Sequence, residues 1–266
     1  MDENNQKNAE DVNEFKKHYD PEISRTVKTL TIPIIVTVAF DDNTRNPIKY
    51  HTNLFRSSYL YLILPSLMEY CEKLNQPGLD VSKCWFEYNN IPLKWHLPVG
   101  LLYDQFELSS PWKIQLNLKN FPNDLFIFEN EQMVLDLFMS TIKEADYLRT
   151  GSIKRVMGIS KLQQETLWDS LKNTGLDSFN INAIEVLYNL EEPIRSIPVR
   201  LYLKDGMVLR RLVKSRESLK VMLEELQVNE YKEVVLHGCK LHLDTDLVWL
   251  YMNASFMDTF LHLIVR

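Results

Sequence analysis

The most reactive side chains in this 266-residue chain are three cysteines, Cys71, Cys84 and Cys239. A thiol attacks a carbonyl or binds a metal as the thiolate, which needs a neighbouring cation, a helix N-terminus or a paired cysteine. These three are odd in number, scattered and without CxxC spacing, so they form neither a zinc site nor a disulfide frame. Cys71 falls on the apolar face of an expected helix, and Cys84 and Cys239 fall at a strand and a turn, so all three read as buried, reduced and inert thiols. A cysteine enzyme is the chemical alternative, and rapid alkylation of one thiol at neutral pH would reveal it. His96, His237, His242 and His262 show neither i, i+4 pairing nor HExxH, and read as surface or internally satisfied histidines. No GxSxG places a serine on a sharp turn. Glu191-Glu192 and Glu224-Glu225 read as solvated helix faces. Lys154, Arg155 and Lys161 read as a solvated basic face, with membrane contact as their other use. These residues specify no enzyme class, cofactor or metal.

Bulk properties narrow the partners. Hydrophobic residues make up 45% and charged residues 25%, ordinary values for a globular protein. A net charge of −6 gives no reason to expect nucleic acid as a partner. Seven glycines are few for a phosphate-binding loop, and neither GxGxxG nor GxxxxGK[ST] occurs. The opening MDENNQKNAEDVNEF lacks the apolar core of a signal or transit peptide. No apolar run approaches the roughly 18–20 residues that span a bilayer, so a cytosolic chain is expected.

The elements that position these side chains are organised by a repeat. Residues 84–118 recur at 232–266 without a gap, as a pattern of residue types. Leu93 answers to Leu241, Tyr103 to Tyr251 and Trp112 to Phe260, each pair 148 apart. Phe86 and Val234, Tyr88 and Leu236, Leu102 and Leu250, and Leu116 and Ile264 agree in apolar class, and Asn90 answers to Gly238 at a turn. An echo held in register through strand, turn, short helix and strand argues for one small domain used twice.

Ahead of the first copy, residues 32–40 and 48–55 read as strands. Residues 59–74 read as a helix capped by Ser57-Ser58, apolar along Leu60, Leu64, Leu67, Met68 and Cys71, and bent at Pro65. Strand 84–88, the Asn89-Asn90 turn, a short strand 93–95, helix 98–106 and strand 112–118 follow. The second copy opens with strands 197–203 and 207–213 over a two-residue turn favoured by Asp205-Gly206. A helix over 215–226, opened by Ser215 or Ser218, comes next, then strand 233–236, the His237-Gly238 turn and the segments 245–252 and 260–265. Hairpin, helix, then strands with a short helix is the β-grasp order of ubiquitin-like domains.

Between the copies, Leu135, Phe138, Met139, Ile142 and Ala145 keep helical spacing. Further helices are expected over 159–172, through Leu162, Leu167, Trp168 and Leu171, and over 179–190. At the start, residues 1–13 read as a disordered acidic tail. Residues 14–28 read as a helix with Phe15, Tyr19, Ile23 and Val27 on one side, interrupted at Asp20-Pro21. Such a helix docks on a partner or on its own chain. The expected class is α+β: ubiquitin-like domains over 29–122 and 196–266 flank a helix-rich domain over 128–192, preceded by the N-terminal helix.

WFEYNNIPLKWHLPVGLLYD (85–104) resembles the signature of the autophagy protein 5 family, and the likeness continues in PWKIQLNLKNFP (111–122), FMSTIKEADYLR (138–149), SIPVRLY (196–202) and DTFLHLIV (258–265). The resemblance covers the chain from about Ser24 and implies the same three-domain layout. It also implies a function. The family's acceptor lysine lies in the motif matched by Ile142-Lys143-Glu144-Ala145-Asp146, so Lys143 is the carried-over position for an isopeptide bond to the C-terminal glycine of autophagy protein 12. At about 100° per residue, Lys143 lies at the edge of the apolar arc, where its stem packs and its amine stays in water. Glu144 and Asp146 are candidates to orient or deprotonate that amine, or are simply solvated.

The resemblance further implies E2-like conjugating enzymes and the coiled-coil autophagy protein 16 as partners. It implies a non-catalytic, E3-like role in lipidating autophagy protein 8, and a cytoplasmic location with peripheral contact to the isolation membrane. The chain ends Val265-Arg266 without Gly-Gly, so it is expected to receive a modifier and not to act as one. The family's tryptophan/glycine pair near the first helix is replaced around Val27–Leu30, so no residues of the coiled-coil groove are carried over. The alternative is a module that holds a coiled-coil partner through the N-terminal helix without being conjugated.

Overall fold

The computed structural model describes residues 18–38, 40, 46–74, 80–106, 109–172, 196–213 and 217–266. The helix expected over 179–190, the tail 1–13 and the first turn of the helix expected over 14–28 lie outside the described residues. The chain forms two compact units, one built on Leu30–Leu137 and the other on Phe138–Ser170 together with the second sheet and the helix that precedes residue 30.

In the first unit, β1 (Thr31–Val38) pairs antiparallel with β2 (Ile48–Phe55) and parallel with β5 (Trp112–Asn117). Strands β3 (Trp85–Tyr88) and β4 (Ile91–Pro92) complete the sheet, in the order β2-β1-β5-β3-β4. Alternation along β1 buries Ile32, Ile34, Val36 and Val38 on one face. The helix expected over 59–74 is a 3-10 turn, Leu60–Ile63, leading into α2 (Leu64–Lys73). Pro65 sits in the first turn of α2, where its missing N–H has no intrahelical partner to lose, so it starts the α-helix and does not bend it. Neither Ser57 nor Ser58 caps by side chain. Helix α3 (Val99–Gln105) follows with Pro98 as its N-cap residue. Its Gly100 N–H donates to the Arg56 carbonyl at 2.7 Å.

The second sheet, β6 (Ile197–Tyr202), β7 (Val208–Val213), β8 (Val234–Leu236), β9 (Cys239–Lys240) and β10 (Leu261–Val265), has the same topology, β7-β6-β10-β8-β9. The repeat register survives at atomic detail. Asn89 and Asn90 have φ of 50° and 63°, and His237 and Gly238, 148 residues on, have 51° and 80°. Leu93 N–H donates to the Phe86 carbonyl at 2.8 Å, as Leu241 N–H does to Val234 at 2.9 Å. With both turn residues left-handed, pairing resumes at once, so β4 is Ile91–Pro92 and not 93–95. The β6–β7 hairpin corrects another expectation. Leu203 accepts from Gly206 N–H at 3.0 Å and donates to the Met207 carbonyl at 2.9 Å, and Gly206 has φ 86°. This is a three-residue loop with a glycine bulge and not a two-residue turn. Ser218 caps α7 (Leu219–Glu225), and Asp246 caps α8 (Leu247–Ala254).

The central helices are α4 (Glu131–Thr150), α5 (Lys154–Met157) and α6 (Lys161–Lys172). Val134, Phe138, Ile142 and Ala145 line the buried face of α4, and Leu135 is only half-buried. On α6, Leu167, Trp168 and Leu171 are buried as expected, whereas Leu162 is 73% exposed. At the N-terminal end, α1 runs Pro21–Lys28. Asp20-Pro21 interrupts the helical run as expected, since His18 is helical and Tyr19 and Asp20 are not; it then starts α1, because the Asp20 carboxylate accepts from Glu22 and Ile23 N–H at 2.9 and 3.1 Å and proline suits the first position. Helix α1 packs on α8 through polar contacts: the Asn253 amide accepts from Asp20 N–H and donates to the His18 carbonyl, both at 2.7 Å. Its buried face carries Ser24 and Lys28, while Ile23 is exposed and Val27 half-buried, the reverse of the apolar face expected.

Candidate functional site

Lys143 lies on α4 between buried Ile142 and exposed Glu144, and is itself half-buried. The helix is held on that face by Ile142 and Ala145, and Ser196 Oγ donates to the Leu148 carbonyl at 2.6 Å. Lys143 takes part in no ion pair or hydrogen bond among the described residues.

The acids around it are otherwise engaged. Glu144 Oε2 accepts from Arg200 Nη2 of β6 at 2.8 Å, and that guanidinium lies 3.7 Å over the Phe260 ring. Asp146 is only 1% exposed, and its Oδ1 accepts from Arg149 at 2.7 Å and from Arg155 at 2.6 Å. Neither acid orients the amine, and neither is simply solvated. Arg155, expected on a solvated basic face, is mostly buried in this cluster, whereas Lys161 is exposed beside Glu165 at 3.8 Å. The i, i+3 spacing of Asp146 and Arg149 is a signal that sequence reading could have used. Arg200 left none, because it comes from 56 residues away.

The other reactive side chains are structural. Cys71 and Cys84 are buried, and burial pushes both thiols up, Cys84 to about 11, so neither is a thiolate at neutral pH. Cys239 is exposed, against expectation, because it sits on the short edge strand β9. His262 is buried between Asp258, 2.9 Å from Nε2, and Tyr202 Oη, 3.0 Å from Nδ1. Burial alone would raise the Asp258 pKa, but the charge and hydrogen bond of His262 outweigh it and hold the carboxyl below its ordinary range. His237 donates from Nε2 to the Ala254 carbonyl at 2.9 Å. His262 is satisfied at both ring nitrogens, His237 is buried and bonded through Nε2, and His242 is on the surface beside Asp244. Among the described residues no group of three or more His, Cys, Asp or Glu is placed to hold a metal ion. No helix among them is long and apolar enough to cross a membrane.

Twin β-grasp sheets of identical strand order, joined through helices that display a lysine, define a protein with two ubiquitin-like domains about a helical region. Comparison with known proteins gives the same layout. Three family models match in order: Autophagy protein ATG5, UblA domain, over residues 28–118; its alpha-helical bundle region over 131–184; and its UblB domain over 196–265. Autophagy protein 5 of Drosophila melanogaster is 30% identical over 235 residues, 82% of this chain and 87% of that protein. Autophagy protein 5 of Aspergillus oryzae is 33% identical over 174 residues, 56% of this chain but only 54% of the relative's length. The crystal structure of Kluyveromyces marxianus Atg5 superposes with a TM-score of 0.80 at 23% identity, covering 93% of this chain and 100% of that one. The chain belongs to the autophagy protein 5 family, and its role lies in autophagy.

Proposed function

We propose that Lys143 is the acceptor for a ubiquitin-like modifier, autophagy protein 12, and that the conjugate is a non-catalytic, E3-like scaffold. Held by the coiled-coil autophagy protein 16, it would promote transfer of autophagy protein 8 to phosphatidylethanolamine at the isolation membrane, with the chain otherwise cytoplasmic. The domain limits that go with this reading are 29–122, 128–192 and 196–266.

The observation that supports it is the unpaired, half-buried Lys143 on α4, inside the segment that resembles the family's acceptor motif. The amine lone pair attacks the thioester carbonyl that links the modifier's terminal glycine to a conjugating-enzyme cysteine. The C–S bond breaks, the sulfur leaves as thiolate, and the nitrogen gives up a proton to solvent as the amide forms. Fixing the lysine stem on a packed helix reduces the freedom lost on reaching that carbonyl. The test is a gel: co-expressed with the modifier and its activating and conjugating enzymes, the chain should shift by one modifier mass, and a Lys143→Arg variant should not. Full conjugation of that variant refutes the assignment.

The outward-facing Ile23 of α1 supports the second reading, a module that holds a coiled-coil partner without conjugation. It predicts pull-down of that partner unaffected by Lys143→Arg and lost on deleting residues 14–28.

A further inference from the structure

We infer that Arg200, Arg149 and Arg155 are positioning residues for Lys143, acting by withholding its neighbouring carboxylates. The inference rests on Lys143 being the acceptor. An ε-amine attacks a thioester through a free lone pair, whereas a carboxylate within reach favours the hydrogen-bonded ammonium. On an α-helix the acid best placed to do this is at i+3 or i+4, because those positions share a face. For Lys143 the i+3 residue is Asp146, whose Oδ1 is clamped by Arg149 at 2.7 Å and Arg155 at 2.6 Å. The adjacent acid, Glu144, is drawn to the second ubiquitin-like sheet by Arg200 at 2.8 Å. At i+4 stands Tyr147, uncharged and 59% exposed. Of the positions that share the Lys143 face, Met139 and Ser140 carry no charge, Asp146 is clamped and Tyr147 is a phenol, while the adjacent Glu144 is held by Arg200.

The Arg200 clamp is more than the fold needs at the surface. Glu144 is 43% exposed, and a solvated glutamate could remain there without a partner. Arg200 is instead fixed by its stacking on Phe260, 3.7 Å away, so the guanidinium is held in place before it meets the carboxylate. The acceptor amine is thus left for acylation by charges contributed from β6, α4 and α5.

The test is single-turnover transfer from the charged conjugating enzyme, with the full chain. Arg200→Gln should slow transfer about two- to threefold, the scale of an exposed ion pair between the released Glu144 and the amine. Adding Glu144→Gln should restore the wild-type rate, which a merely structural arginine would not allow. Independently, Tyr147→Glu places an unclamped carboxylate on the Lys143 face and should be about twofold slower than Tyr147→Gln. The inference is overturned if the double variant is as slow as Arg200→Gln, or if Tyr147→Glu and Tyr147→Gln transfer at equal rates. Lys143→Arg run in parallel keeps the two claims apart: its continued conjugation would refute the acceptor assignment and the inference with it, whereas its loss of conjugation beside a double variant as slow as Arg200→Gln, or beside equal Tyr147 rates, would refute the inference alone.

Discussion

Replacing Asp146 by asparagine removes one charge without changing shape, and the structure says what that charge holds. Its Oδ1 accepts from two guanidinium groups, and the side chains of Asp146 and Arg149 are 1% and 3% exposed. The variant removes the Asp146 charge from beside buried Arg149, which lies in contact range of the buried Tyr251 phenol. Arg155 is the less buried arginine and can turn outward. Breaking a buried pair by removing one partner typically costs about 3–5 kcal/mol, because the remaining charge is desolvated and unpaired. The outward route for Arg155 places this case near the lower figure. For domains of this size about 3 kcal/mol corresponds to a fall in Tm of roughly 6–12 °C. Circular dichroism melts of wild type and Asp146→Asn measure it directly. Lys161→Ala serves as the contrast: its 3.8 Å pair with Glu165 is exposed on both sides, and its loss should move stability by less than about 0.5 kcal/mol. A loss below about 1 kcal/mol for Asp146→Asn would put the cluster among surface ion pairs and refute the reasoning.

Two further outcomes are expected. At Gly100 an added Cβ would lie 2.7 Å from Arg56 Cβ and 2.9 Å from its carbonyl oxygen, so Gly100→Ala should cost about 1–3 kcal/mol in urea unfolding. Burial lowers Lys28 to about 7, so between that value and its ordinary pKa of roughly 10.4 the unfolded chain binds the proton and the folded one does not. The penalty is full below pH 7 and is relieved as pH rises. Melts should therefore rise in Tm from pH 7 to 9.5, and Lys28→Met should flatten that rise.

The fold was legible because its signals are local. Period-2 burial along 32–38, the turns at Asn89-Asn90 and His237-Gly238, and the cap Ser218 each act within a few residues. The repeat at a spacing of 148 then joined these signals into two copies of one sheet. The misses occurred where local rules compete. Pro65 can bend a helix or begin one, and its place in the first turn of α2 decides for beginning. Leu162 and Ile23 fit an apolar periodicity yet face solvent, because no part of the described chain covers them.

The position of Lys143 on a helix edge, the pairing of the sheets and the family resemblance are set along the chain, since each depends on residues within a turn or a strand of one another. The state of that lysine's surroundings is not. Asp146 meets Arg155 nine residues on, in a buried environment of low dielectric, and Glu144 meets Arg200 fifty-six residues on, at the surface; both pairs exist only once the helix and the second sheet are packed. Whether a charge is solvated, clamped or left free depends on which distant chain closes over it, and that is a property of the folded molecule alone.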